Sequence, residues 1–91
     1  MELKDLRAEI DNIDDEMVRL FGARMEIAAQ IADYKKEHGL PILVPAREAE
    51  KLLDVAEKAG PEMADYTKEL YATLFRLSRE YQSAHINEVI E

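Results

Sequence analysis

The sequence predicts an all-α fold of three helices, long, short and long, paired as a homodimeric helical bundle. From Leu3 onward, apolar residues recur at alternating spacings of three and four, the period of an amphipathic helix. The chain has only 3 Gly and 3 Pro, too few turn residues for a sandwich or a barrel. All of them except Gly22 gather at two places, Gly39 with Pro41 and Pro45, and Gly60 with Pro61, which cut the chain into three segments.

The first helix spans about residues 3–36. Leu3, Leu6, Ile10, Ile13, Met17, Leu20, Ile27, Ile31 and Tyr34 form its stripe. Gly39 suits a helix stop, and Pro41 and Pro45 prevent continuation through GLPILVPARE. About 34 helical residues extend about 50 Å, more than the rest of a 91-residue chain can cover, so this helix calls for a partner chain. The second helix, about 45–59, has Pro45 at its first position, stops at Gly60, and offers an apolar face of Leu52, Leu53 and Val55 or Ala56. The third, about 61–87, starts at Pro61 and carries Met63, Tyr66, Leu70, Leu74, Leu77 and Tyr81 at helical spacing. There is no repeat, linker or low-complexity segment, so residues 1–91 read as one domain.

Composition excludes several function classes. With 47% hydrophobic and 35% charged residues the chain has a globular balance. The absence of Cys removes disulfides, thiol nucleophiles, zinc knuckles and iron-sulfur clusters, and fits a reducing compartment. The opening MELKDLRAEI has neither a basic n-region nor an apolar h-region, and no apolar run approaches the roughly 18 residues of a membrane span, so a cytoplasmic location is expected. A net charge of -8 opposes general attraction to nucleic acid or anionic membranes. Any anionic ligand must therefore be held by local cations. His38 and His85 lack a sequence-adjacent orienting acid and read as surface or boundary residues, which makes a covalent mechanism unpromising.

The informative irregularity is Arg24, which stands where the stripe calls for an apolar residue. A guanidinium on a helix seam must be paired or reach water. It has two readings: a structural ion pair with Glu26 or a partner-chain Glu, or one wall of a gap left for an anion. Lys35, eleven residues on, lies about 20° past three full turns and about 16 Å along the axis, on the same face. Arg7 lies about 25 Å from Arg24 and about 100° round the helix, out of reach within one chain. If two long helices pair antiparallel about a two-fold axis near residues 18 and 19, Arg7 of one chain falls beside residue 30 of the other, between Arg24 and Lys35. Arg47 and Glu48 occupy the first turn after Pro45, and Leu74, Ser78 and Gln82 share one i, i+4 line. Singly, each has an ordinary structural explanation, whether a boundary position, a helix-dipole partner or a solvated cation. Together, four cations, a carboxylate and an amide suit a small polar dianion, with donors aimed at charge developing in a transition state.

The stretches LRAEIDNIDDEMVRLFGARMEIAAQIADYK, VPAREAEKL and LYATLFRLSREYQ resemble an all-helical chorismate mutase of the AroQ class. The likeness is to chorismate mutase domains found alone or at the N-terminus of bifunctional prephenate-forming enzymes. It covers nearly the whole chain, and the spacing from Arg7 through Arg24, Lys35, Arg47 and Glu48 to Ser78 and Gln82 is more specific than any one motif. The resemblance implies an intertwined homodimer with two sites and a cofactor-free Claisen rearrangement of chorismate to prephenate, in aromatic amino-acid biosynthesis. It further implies that Arg24 binds one substrate carboxylate and Arg7 of the other chain the second. Lys35 and Gln82 would contact the ether oxygen, Glu48 the ring hydroxyl, and Ser78 and Arg47 would support the pocket.

One departure from the resemblance concerns Val44, where many relatives have Asp, a residue able to cap the second helix and reach towards the substrate hydroxyl. Ala49, where a basic residue is common, has less consequence because it need not face the pocket. Gly22 costs the long helix roughly 1 kcal/mol relative to Ala, and its small size permits close helix approach. Two other functions compete with the mutase. One is isochorismate pyruvate lyase, which uses a related helical fold. The other is a non-catalytic dimerisation or regulatory module, in which Arg24 and Lys35 would be ion-paired.

Overall fold

The computed structural model describes residues 1–90 and contains three helices and no strand among them. They are α1 (Leu3–Glu37), α2 (Pro45–Ala59) and α3 (Ala64–Ile90). Glu91, the last position of the expected 1–91 domain, lies outside the described residues.

Each boundary has a local cause. At the start of α1 the Asp5 carboxylate accepts a hydrogen bond from the Glu2 backbone N–H at 3.3 Å, occupying one of the donors a helix end leaves free. At its end Gly39 adopts φ +66°, a conformation open to glycine. The Gly39 N–H then donates to Lys36 O and the Leu40 N–H to Lys35 O at 2.8 Å, closing the helix in a Schellman arrangement. Helix α2 begins at Pro45, whose missing N–H costs nothing at a first helical position. Val44, its N-cap residue, supplies no side-chain bond to the helix N-terminus.

The third helix starts later than the sequence predicts. Gly60 takes φ +86°, and Met63 N–H donates to Gly60 O at 3.2 Å, so residues 60–63 close a turn and α3 begins at Ala64 rather than Pro61. Proline's fixed φ suits the second position of such a turn as well as a first helical position, and here the turn prevails.

Helix α3 packs against both α1 and α2, while α1 and α2 do not pack directly on each other. The molecule is consequently a flat layer, 54 × 29 × 14 Å. Its interior is slight: among the described residues, Ala28, Ala32, Val55 and Phe75 are the buried apolar ones, and no large side chain is fully enclosed. Ala28 and Ala32 are small enough to let α3 approach α1 closely. The stripe read from the sequence, from Leu3 and Leu6 through Leu20 to Ile31, lies exposed along α1. Leu53, expected on the apolar face of α2, is also exposed at 66%, and Val55 is the buried member of that set. Nothing lies within 4 Å of the place a Gly22 side chain would take, so close approach at that position has no counterpart within one chain.

Candidate active site

A cavity of about 540 Å³ lies where the C-terminal half of α1, the first turns of α2 and the middle of α3 meet. The stripe of α1 forms one wall through Leu20, Ile27 and Ile31, and Arg24 and Lys35 interrupt that wall from the same helix face. Ile27 and Ile31 remain about half exposed, so the hollow is open along α1.

Arg24 is half-buried and takes part in no ion pair or hydrogen bond among the described residues. Its guanidinium carbon instead sits 5.7 Å from the centre of the Phe75 ring on α3. Such a contact is worth about 0.5–1 kcal/mol near a surface and leaves the guanidinium N–H donors free. The ion pair with Glu26 that the sequence allowed is not formed.

Lys35 donates from Nζ to the Ile42 carbonyl at 2.9 Å, fastening the linker between α1 and α2 against the end of α1. An ammonium has three donors, so two remain for a ligand. Helix α3 contributes Ser78 and Gln82, both 7% exposed and one turn apart. Gln82 Nε2 donates to Ser78 Oγ at 3.0 Å. Gln82 Oε1 is buried and finds no partner, an uncommon state for a buried polar atom. Glu48, on the first turn of α2, accepts from Arg79 Nη1 at 2.5 Å through Oε1 and 2.6 Å through Oε2. Arg47 also lines the cavity and is exposed.

The arrangement is an apolar hollow with unspent cationic and amide donors spread along one side and a carboxylate at one end. It can hold a small polar anion and meet negative charge that grows on it, without a nucleophile.

A sequence profile of chorismate mutase type II matches residues 6–83. The chain belongs to that family. It is 49% identical over 61 residues to the T-protein of Haemophilus influenzae, covering 64% of this chain and 16% of that protein. It is 51% identical over 49 residues to the bifunctional chorismate mutase/prephenate dehydratase of Aquifex aeolicus, covering 54% of this chain and 14% of that one. Over 46 residues it is 39% identical to the 4-amino-4-deoxychorismate mutase of Streptomyces venezuelae, covering 50% of this chain and 45% of that one. The matched segments thus span under half the length of each of these relatives. No solved structure matches the chain.

Of the residues singled out from the sequence, this chorismate mutase family member brings Arg24, Lys35, Arg47, Glu48, Ser78 and Gln82 to one cavity. Arg7 does not line it; it is exposed on the second turn of α1. Val44 does not line it either, and stands at the N-terminus of α2. Both histidines lie elsewhere. His38 bonds the Tyr34 carbonyl through Nδ1 at 2.8 Å, and His85 meets Asp33 of α1 at 2.8 Å, a partner invisible to local sequence.

Six of the wall residues are not singled out by the sequence reading, the small or aliphatic Ala23, Ala28 and Ile42 and the more consequential Phe75, Arg79 and Lys51. Phe75 and Arg79 lie seven and three residues before Gln82, on the helix face that carries Ser78. The i, i+4 line read from the sequence runs instead through Leu74, which is only half-buried and is not part of the wall. Lys51 is engaged by Asp54 at 3.1 Å, and Lys58, with Lys51, holds the Asp54 carboxyl below its ordinary value.

Proposed function

We propose that this chain catalyses the Claisen rearrangement of chorismate to prephenate, as a homodimer with two sites shared between chains. The observation that carries the reading is Arg24: a cation set into an apolar stripe, turned to a cavity of about 540 Å³, and paired with no acid among the described residues of its own chain. A partly desolvated guanidinium gains most from a carboxylate met in fork geometry.

The rearrangement is intramolecular. The ether C–O bond breaks as a new C–C bond forms, and no proton, nucleophile or co-reactant enters. Two things then accelerate it: holding the compact conformer in which the reacting carbons meet, and stabilising the negative charge that grows on the ether oxygen. Arg24 binds one carboxylate, and Arg7 of the second chain binds the other. Lys35 and Gln82 donate to the ether oxygen. Glu48 accepts from the ring hydroxyl, with Arg47 and Ser78 supporting the pocket.

The exposed stripe supports the dimer. Leu6, Ile10, Ile13, Met17 and Leu20 are each 45–55% exposed on a layer only 14 Å thick, and burying them needs a second layer. The cavity is open along the same stripe, and an antiparallel register about residues 18 and 19 would set the second chain's Arg7 beside residue 30 on that open side. Among the described residues, no helix is long and apolar enough to cross a membrane.

The test is an ultraviolet assay of chorismate loss with prephenate identified as product, run beside isochorismate. Chorismate loss with prephenate formation supports the reading. Release of pyruvate from isochorismate without prephenate formation contradicts it.

A further inference from the structure

We propose that Arg79 determines which ring substituent the site accepts, by cancelling the charge of Glu48 and so favouring a neutral hydroxyl over a cationic amine. The inference rests on the mutase reading and on Glu48 facing the substrate ring.

Arg79 and Glu48 lie 31 residues apart, on different helices, and both line the cavity. One nitrogen of Arg79 spans both carboxylate oxygens, at 2.5 and 2.6 Å. The side chains are 33% and 26% exposed, so water screens the pair only in part. Each Glu48 oxygen keeps a further lone pair. The ring substituent therefore meets an acceptor, but one whose negative charge is already matched.

An uncharged hydroxyl needs no more than that. It donates to a Glu48 oxygen and leaves the ion pair whole. An alkyl amine at the same carbon is protonated near neutral pH. It would add a cation beside Arg79, in a cavity already walled by Arg24, Lys35 and Arg47. Like charges brought together in a partly desolvated site are a repulsive specificity element. Without Arg79, Glu48 would present an unmatched carboxylate and draw the amine in. The amino analogue is a chemically meaningful competitor, because one relative is named for a 4-amino-4-deoxychorismate substrate.

The experiment measures kcat/KM for chorismate and for 4-amino-4-deoxychorismate with the wild-type chain, Arg79→Met and Arg79→Lys. The expected result is a wild-type preference for chorismate, a shift of about tenfold or more towards the amine in Arg79→Met, and a near-wild-type ratio in Arg79→Lys. Arg79→Gln, which keeps a donor to Glu48 without the charge, should shift the ratio like Arg79→Met and serves if the latter does not fold. Loss of structure alone would lower both activities together and leave the ratio fixed. A wild-type enzyme that turns over chorismate while the ratio stays constant in both uncharged variants overturns the inference and spares the mutase reading. A wild-type chain that turns over neither substrate overturns both.

Discussion

Gln82 commits one of its two amide N–H groups to Ser78 Oγ at 3.0 Å and leaves its own Oε1 buried without a partner. A buried unsatisfied acceptor costs about 1–3 kcal/mol. Turning the Gln82 amide by half a turn removes that cost: the Ser78 hydroxyl donates to Oε1, and Nε2 is released to donate to a ligand in the cavity it lines. A hydroxyl works in either role, so Ser78 orients Gln82 both before and after the turn. Ser78→Ala should lower kcat/KM for chorismate by roughly fivefold, about 1 kcal/mol of lost orientation. Steady-state kinetics beside Ser78→Thr, which keeps the hydroxyl, check it.

Gln82→Glu should make activity depend on acid. Only the protonated carboxyl can donate to the ether oxygen, and that form prevails below the group's pKa. Activity should rise as pH falls, where the wild-type amide has no proton to gain. A kcat/KM profile that stays parallel to wild type would remove Gln82 from this role.

Arg24→Ala should separate activity from stability. Its contact within the chain is with the Phe75 ring, 5.7 Å away, so stability should fall by only about 0.5–1 kcal/mol. A substrate carboxylate left without its partner should cost two to three orders of magnitude in kcat/KM, about 3–4 kcal/mol. Thermal melts and kinetics on one preparation measure both. A large loss of stability with no turnover to lose would favour a structural module.

Val44→Asp should stabilise the chain by about 1 kcal/mol, because the N-cap of α2 has no side-chain acceptor. Urea denaturation reads the gain directly. A variant improved in neither stability nor kcat/KM would mean that the surroundings already compensate for Val44.

The long helix and its break at Arg24 were legible because a 3-4 apolar stripe and a charge within it are one-dimensional signals, and Lys35 followed by counting turns. Helix α3 was harder. Tyr66, Leu70, Leu74, Phe75, Leu77 and Tyr81 put apolar groups on several of its sides, so periodicity alone did not select the face of Phe75, Ser78 and Gln82. The start of α3 was misplaced because one proline geometry serves a turn and a helix equally. The Glu48–Arg79 and Asp33–His85 pairs join residues 31 and 52 positions apart. No local pattern encodes such a meeting, which depends on how α3 settles against α1 and α2.

In the proposed dimer, Arg24 of one chain and Arg7 of the other grip the same dianion. Equal amounts of Arg7→Ala and Arg24→Ala protein, each inactive alone, should be mixed, exchanged to heterodimers and assayed with chorismate. Random pairing makes half the dimers mixed, each with one intact site, so activity should return to about a quarter of the wild-type level. Verified exchange without recovery would contradict a site built from two chains.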